Sequence, residues 1–295
     1  MIMAKNSSIE WTHHTFNPWW GCVKVSPACK NCYAETWAKR VGLALWGPRT
    51  PRRFFSDAHW NEPLKWNREA EREGERRRVF CASMADVFEA RAELIEWRER
   101  LWRLIEVTPM LDWLLLTKRP ERIGRCVPWG EQWPHNVWLG TTAENQRWLD
   151  RRVPELLRHP RAPVLFISAE PLFGFLNMHP YLPALGKTAR AIDWVIAGGE
   201  SGARARPMNP EWARDLRDQC TQAGAKFHFK QWGHWSPDEL GVDREHRRQR
   251  RIEVYGRDGK LLVLVRLGKK ASGRTLDGTT WDEFPEPRAA AAVAA

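Results

Sequence analysis

Asp112-Trp-Leu-Leu-Leu-Thr-Lys-Arg119 is a short apolar run that stops abruptly in polar residues. Five other runs share its form: Arg78-Val-Phe-Cys-Ala-Ser83, Asn136-Val-Trp-Leu-Gly-Thr141, Val164-Leu-Phe-Ile-Ser168, Ile192-Asp-Trp-Val-Ile-Ala197 and Lys226-Phe-His-Phe-Lys230. Each is too short for a helix, rich in β-branched and aromatic residues, and nearly continuous in its apolarity. That is the pattern of a strand buried on both faces. Between the runs lie Leu94–Val107, Glu144–Leu157 and Pro210–Ala223, where apolar residues recur at helical spacing. Strand–helix alternation predicts a parallel sheet covered by helices, an α/β fold of partial (β/α) barrel type.

The polar ends of the runs point to a site. They are Ser83 and Asp86, Thr117-Lys118-Arg119, Thr141-Thr142, Ser168-Ala-Glu170-Pro171, Gly198-Gly-Glu200-Ser-Gly202 and Lys230-Gln-Trp-Gly233. In α/β barrels the chemistry gathers at the carboxyl ends of the strands, so these residues are expected around one mouth. Ile9–Thr12 is expected as the first strand, 16–35 as a loop entering the following helix (Asn31–Val41). After Gly233 the alternation stops. Arg251–Val265 reads as a hairpin turning at Asp258-Gly259. The expected organisation is a barrel over 1–233, a basic extension with the hairpin over 234–288, and a disordered alanine-rich tail over 289–295.

Within the loop, Asn17-Pro-Trp-Trp-Gly-Cys-Val-Lys-Val-Ser-Pro-Ala-Cys-Lys-Asn-Cys-Tyr-Ala-Glu35 holds three cysteines in eleven residues. A structural zinc site is normally closed by four ligands, and disulfides take cysteines in pairs. Cys22, Cys29 and Cys32 around one centre leave a position open. Four readings compete: a [4Fe–4S] cluster with one iron free of cysteine, a zinc knuckle completed by His13 or His14, a Cys29–Cys32 redox pair, and plain structural cysteines. Thiolates are the preferred cluster ligands, which favours the first. Cys81 lies inside a strand run, and Cys126 and Cys220 read as structural. Trp19 and Trp20 adjoin the loop and are expected to shield it, whereas Trp97, Trp113, Trp138 and Trp194 read as core.

The formal charge is +11, and the nineteen tryptophans far exceed ordinary usage. The basic excess comes in lumps, Arg49-Thr-Pro-Arg-Arg53, Arg76-Arg-Arg78 and Arg244–Arg251, and points to a polyanionic partner, a nucleic acid or nucleotide-like molecule. No run of eighteen apolar residues occurs, and the first residues lack the apolar stretch of a secretion signal, so a cytoplasmic protein without a membrane span is expected.

A three-cysteine loop after the first strand, with Tyr33 directly after the third cysteine and repeated βα units beyond, resembles the radical S-adenosylmethionine superfamily. The spacing here is Cys-x6-Cys-x2-Cys, against the usual Cys-x3-Cys-x2-Cys. Ser83 with Asp86, Leu116-Thr-Lys-Arg119 and Thr141-Thr142 are similar in order to the branch of spore photoproduct lyase. Asn17–Cys22, Leu116–Pro120, Ser168–Pro171, Gly198–Gly202 and Phe229–Gly233 together resemble a family of phage and prophage proteins of unassigned function, over about residues 8–285.

The resemblance implies that Cys22, Cys29 and Cys32 hold three irons and that the fourth binds S-adenosylmethionine. One electron then cleaves the sulfonium, giving a 5′-deoxyadenosyl radical that abstracts hydrogen from the substrate. It implies cofactor contacts from Lys118, Ser83 and Thr141. The string Gly198-Gly-Glu200 matches one that grips the cofactor's amino group, but follows a late strand here. Glu200, like Glu170, is therefore read as a catalytic-site residue whose role is left open, with substrate contact as one option and a barrel-rim ion pair to an arginine such as Arg119 or Arg204 as the other. An external electron donor is implied, with a partner protein as a further candidate. The rival from another class is a zinc-stabilised nucleic-acid-binding protein without catalysis.

Overall fold

The computed structural model describes residues 4–184, 189–238 and 249–288. Eight strands form one sheet in chain order: β1 (Ala4–Lys5), β2 (His14–Thr15), β3 (Arg77–Cys81), β4 (Leu111–Thr117), β5 (Val137–Thr142), β6 (Val164–Ala169), β7 (Trp194–Gly198) and β8 (Lys226–Gln231). Only β1 runs antiparallel to its neighbour. The other seven are parallel and make the half-barrel of an α/β fold. Every residue of β5, β6 and β7 is buried, as their continuous apolarity requires. Strands β9 (Trp235–Pro237), β10 (Arg251–Tyr255) and β11 (Leu261–Arg266) form a second, antiparallel sheet.

The helices are α1 (Tyr33–Arg40), α2 (Asp57–Trp60), α3 (Glu62–Glu73), α4 (Ile95–Glu106), α5 (Ile123–Cys126), α6 (Gln146–Leu157), α7 (Pro210–Ala223) and α8 (Lys269–Ser272). The chain divides into two compact units, Met1–Thr141 with Arg152–Phe166 and Glu286–Ala295, and Thr142–Arg151 with Ile167–Pro285. In the first, α3 packs on β3 and β4. The register Val79↔Trp113 and Leu115↔Leu139 keeps the carboxyl ends of β3, β4 and β5 level. In the second, α7 packs on β7 and β8, its cap made by Asn209, whose side chain accepts from Glu211 N.

The six strands read from the sequence are all present, within two residues at either end. Ile9–Thr12 is a correction. This stretch turns, with Thr12 N donating to Ile9 O, because Trp11 folds back onto Phe80 (centroids 4.5 Å apart) and only His14 and Thr15 reach the edge of β3. Trp97 is also corrected from core to half-buried. It stacks on Phe54 and Trp60, while Leu101, Leu104 and Ile105 supply the buried stripe of α4. Trp113, Trp138 and Trp194 are buried in strands as expected. The hairpin turns where expected, but β9 pairs with β11 to add a third strand. The alanine-rich tail and most of Arg244–Arg251 lie outside the described residues. No described helix is long and apolar enough to cross a membrane.

Candidate cysteine-loop site

The loop that leaves β2 is fastened before it reaches its first cysteine. Asn17 is fully buried; its Oδ1 accepts from Met84 N at 2.7 Å and its Nδ2 donates to Ser83 Oγ at 3.1 Å. His59 Nε2 donates to the Asn17 carbonyl at 2.8 Å. Gly21 N then donates to Met84 O. Gly21 sits at φ +114°, and a Cβ there would lie 2.6 Å from Leu45 O and 2.8 Å from Arg52 Cδ. Glycine alone fits this approach. The approach brings a second segment alongside: Trp20 bridges to Arg53, Cys22 bridges to Trp46, and Gly47 N donates to Cys22 O.

Asp86 and Arg119, both almost fully buried, tie the loop to the strand ends. Asp86 Oδ1 accepts from Thr117 Oγ1 (2.7 Å) and Phe88 N (3.1 Å). Its Oδ2 accepts from Lys118 N (3.1 Å) and Arg119 Nη1 (2.8 Å). Arg119 Nη2 donates to Val23 O at 2.8 Å, and Nη1 lies 3.8 Å from Cys22 Sγ. One carboxylate after β3 and one guanidinium after β4 thereby hold the backbone and sulfur of the loop after β2. Burial opposes the Asp86 charge, but Arg119 and the hydrogen bonds outweigh it and hold the carboxyl below its ordinary value.

Burial pushes the Cys22 thiol up to about 12, with Asp86 adding to the rise and Arg119 opposing it. Cys32 caps the start of α1. Burial raises its thiol too, against the main-chain amides of Glu35 and Ala34 and the Lys118 charge. Cys29 ends a tight turn over Pro27–Cys29, its Sγ 3.9 Å from Ser26 Oγ. All six cysteines are free thiols, so Cys29 and Cys32 are not joined. Among the described residues no three His, Cys, Asp or Glu side chains converge on a single-ion centre. His13 and His14 are engaged at Nδ1 by the amides of Arg78 (2.8 Å) and Asn6 (3.4 Å), and His14 stacks on Trp66. Trp19 and Trp20 are fully buried. The Nε1 atoms of Trp19, Trp20 and Trp37 are buried with no hydrogen-bond partner among the described residues. Trp20 belongs to the apolar cluster against which Cys32, Trp37 and Trp46 pack.

Of the expected cofactor residues, Ser83 and Lys118 lie at this loop. Ser83 bonds Asn17 and its carbonyl accepts from the Tyr33 hydroxyl at 2.8 Å. Thr141 is fully buried, and its Oγ1 donates to Thr117 O at 2.8 Å, fastening β5 to β4. Cys81 is buried within β3 and its thiol raised by burial. Cys220 is buried in α7, whereas Cys126 is half-exposed.

The second unit holds the two glutamates. Glu170 Oε2 accepts from Lys230 Nζ at 2.6 Å, while its buried Oε1 has no partner among the described residues. The Glu170 side chain lies over Gly198. A Cβ at Gly199 would collide with the Trp232 carbonyl, so β7 and β8 meet closely there. Glu200 takes three bonds from Arg206, to N (2.8 Å), Nε (2.9 Å) and Nη2 (2.6 Å), and the guanidinium lies 3.9 Å from the Phe173 ring centre. Both carboxylates are therefore ion-paired, and Arg119 serves Asp86 instead.

Asn17 is a loop-docking residue that no signal in the sequence singles out. Asp86 and Arg119 were expected at the strand ends from their polarity beside apolar runs; their burial and mutual pairing were not legible. Solved structures of spore photoproduct lyase are similar to the chain. One mutant is 12% identical with a TM-score of 0.48, covering 92% of this chain and 72% of that one. A mutant with bound AdoMet and dinucleoside spore photoproduct has 12% identity and a TM-score of 0.45, over 87% and 68%. A complex with dinucleoside spore photoproduct has 12% and 0.46, over 88% and 70%. No curated protein matches the chain. Residues 6–285 match the model of DUF5131, described as a protein of unknown function, and the chain belongs to that family.

Proposed function

We propose that this chain is a radical S-adenosylmethionine enzyme, with a [4Fe–4S] cluster held by Cys22, Cys29 and Cys32, that modifies or repairs a nucleic acid or nucleotide-like substrate. The observation that carries the reading is the cysteine loop, docked by Asn17, Asp86 and Arg119 on the carboxyl ends of β3 and β4. The donor set fits: three free thiols from one loop, with buried indole N–H groups lacking partners around it. Cluster sulfides accept such hydrogen bonds. When bound, the cluster and S-adenosylmethionine supply one-electron cleavage of a C–S bond and hence hydrogen-atom abstraction.

The chain's own residues do the rest. Arg119 lends positive charge and an N–H to Cys22, easing loss of the thiol proton as the ligand forms. Lys118 favours the Cys32 thiolate and is placed to meet a cofactor carboxylate as a point charge. Ser83 offers a hydroxyl held by Asn17, and Thr141 buttresses the strand end. Trp19, Trp20 and Trp37 keep water from the cluster. At the second unit's strand ends, Glu170, with one oxygen unspent, is the better candidate for acid–base work, since Glu200 is taken by Arg206. Free thiols accord with a reducing compartment, the cytoplasm, where an external donor supplies the electron.

Anaerobically reconstituted protein is expected to be brown, to carry about four irons and four sulfides per chain, and to convert S-adenosylmethionine to 5′-deoxyadenosine with dithionite, while Cys29→Ala does neither. A colourless protein binding one zinc and no iron overturns the reading in favour of a zinc-stabilised binding protein.

A further inference from the structure

We infer that the cysteine loop and the segment bridged to it form a phosphodiester-binding collar, gripping a nucleic-acid backbone through Lys30, Arg40, Arg49 and Arg53. This rests on the nucleic-acid part of the function proposed above and names the surface that delivers the substrate. Between residues 17 and 55 the sequence carries seven Lys or Arg and a single acid, Glu35. More than half of the chain's formal excess of +11 therefore falls in a stretch of 39 residues.

The structure shows which of these charges are already used. Arg52 is buried against Glu89, and the lone Glu35 takes both Lys24 and Lys39. Lys30, Arg40, Arg49 and Arg53 are exposed, and none has an acidic partner among the described residues. Backbone pairing fixes where Arg49 and Arg53 stand, while Lys30 follows the second cysteine and Arg40 ends α1. Trp20 and Arg53 exchange bonds of 2.9 and 3.0 Å, and Cys22 bridges to Trp46, so the 46–53 segment is laid along the first cysteine.

Arg53 is held in a way that spares its donors. Its guanidinium lies over Trp20 and Phe55, at 5.0 and 5.5 Å from the ring centres. The two ring contacts hold the guanidinium without consuming its N–H donors, which can meet a phosphate. Beside the third cysteine, Tyr33 is 56% exposed while its hydroxyl is anchored to Ser83 O. An exposed ring with a fixed hydroxyl can take a base–aromatic stack, about 1–3 kcal/mol per base.

The test measures binding of fluorescein-labelled 20-nucleotide single-stranded DNA, the matching duplex and the matching RNA, by anisotropy from 50 to 300 mM salt. It uses the full chain and a triple variant, Lys30→Gln/Arg49→Gln/Arg53→Gln. A control variant, Arg68→Gln/Arg72→Gln/Arg103→Gln, removes equal charge elsewhere. The collar variant is expected to bind about tenfold or more weakly at 0.1 M salt, with the slope of log K against log salt shallower by about two to three. The control keeps the wild-type slope, and the nucleic acid bound most tightly identifies the source of the phosphodiester. Equal slopes for collar and control variants, or wild-type binding too weak to detect for all three, overturn the proposal. Iron content and S-adenosylmethionine cleavage, measured on the same samples, report separately on the enzyme reading. Collar-dependent binding by a protein without iron would leave the surface standing and the enzyme reading lost.

Discussion

Asp86 and Arg119 stand 33 positions apart, yet each gives the other what burial has taken away. An ion pair this dry is worth little beyond an apolar pair of the same shape, but breaking it leaves one charge stranded. Asp86→Asn is therefore expected to lower unfolding free energy by about 3–5 kcal/mol in urea titrations. It should also slow cluster loading, since Arg119 would lose the carboxylate that aims it at Cys22 and Val23. A loss under 1 kcal/mol would mean that Arg119 finds other acceptors. The polarity of both residues was legible in the sequence as the end of an apolar run. Their pairing was not, because it depends on the register between β3 and β4, where Cys81 lies opposite Leu115.

The cysteine loop behaves as an element despite having little regular structure. Its path is set by Asn17, by the left-handed turn at Gly21 and by the bridges to 46–53. Gly21→Ala is expected to cost about 1–3 kcal/mol from backbone strain. The clash with Leu45 O adds to that, and iron per chain after reconstitution should fall with it. Full iron loading at unchanged stability would show that the loop takes its path without the approach at Gly21. Helix α3 went unread because only Trp66 and Ala70 mark its apolar face amid charged neighbours, although Pro63 in its first turn and Gly74 at φ +67° beyond its end are ordinary boundary signals. The strand expected at Ile9–Thr12 failed for the opposite reason. Its alternating residues suit a strand, but the chain turns there as Trp11 folds back onto Phe80, and only His14 and Thr15 pair with β3.

For the molecule as a whole, acid sensitivity follows from the first strands of the sheet. Burial lowers both His13 and His14 to about 4 from an ordinary 6.5. Arg78 and Arg77 push His13 further down against Glu75. His13, Arg77 and Lys5 do the same to His14 against Glu69. The unfolded chain therefore binds more protons between these values, so stability is full above about pH 6.5 and is lost as pH falls toward 4. At pH 5 the loss is about 1–2 kcal/mol for each histidine, allowing for the exposed part of the rings. Urea midpoints at pH 7 and pH 5 measure it. His14→Phe, which keeps the stack on Trp66, is expected to flatten the slope, and an unchanged slope would place the acid sensitivity elsewhere. The sequence by itself determined the parallel α/β class, the order of its strands and the identity of the three thiols, because hydrophobic period and cysteine count are local properties of the chain. Only the tertiary structure decided that Asp86 belongs to Arg119, that Glu170 and Glu200 are held by Lys230 and Arg206, and that Arg49–Arg53 lies along the first cysteine. Apart from Glu200 and Arg206, which stand six residues apart in one loop, those are pairings of distant residues, fixed by strand register and by close approach at glycine.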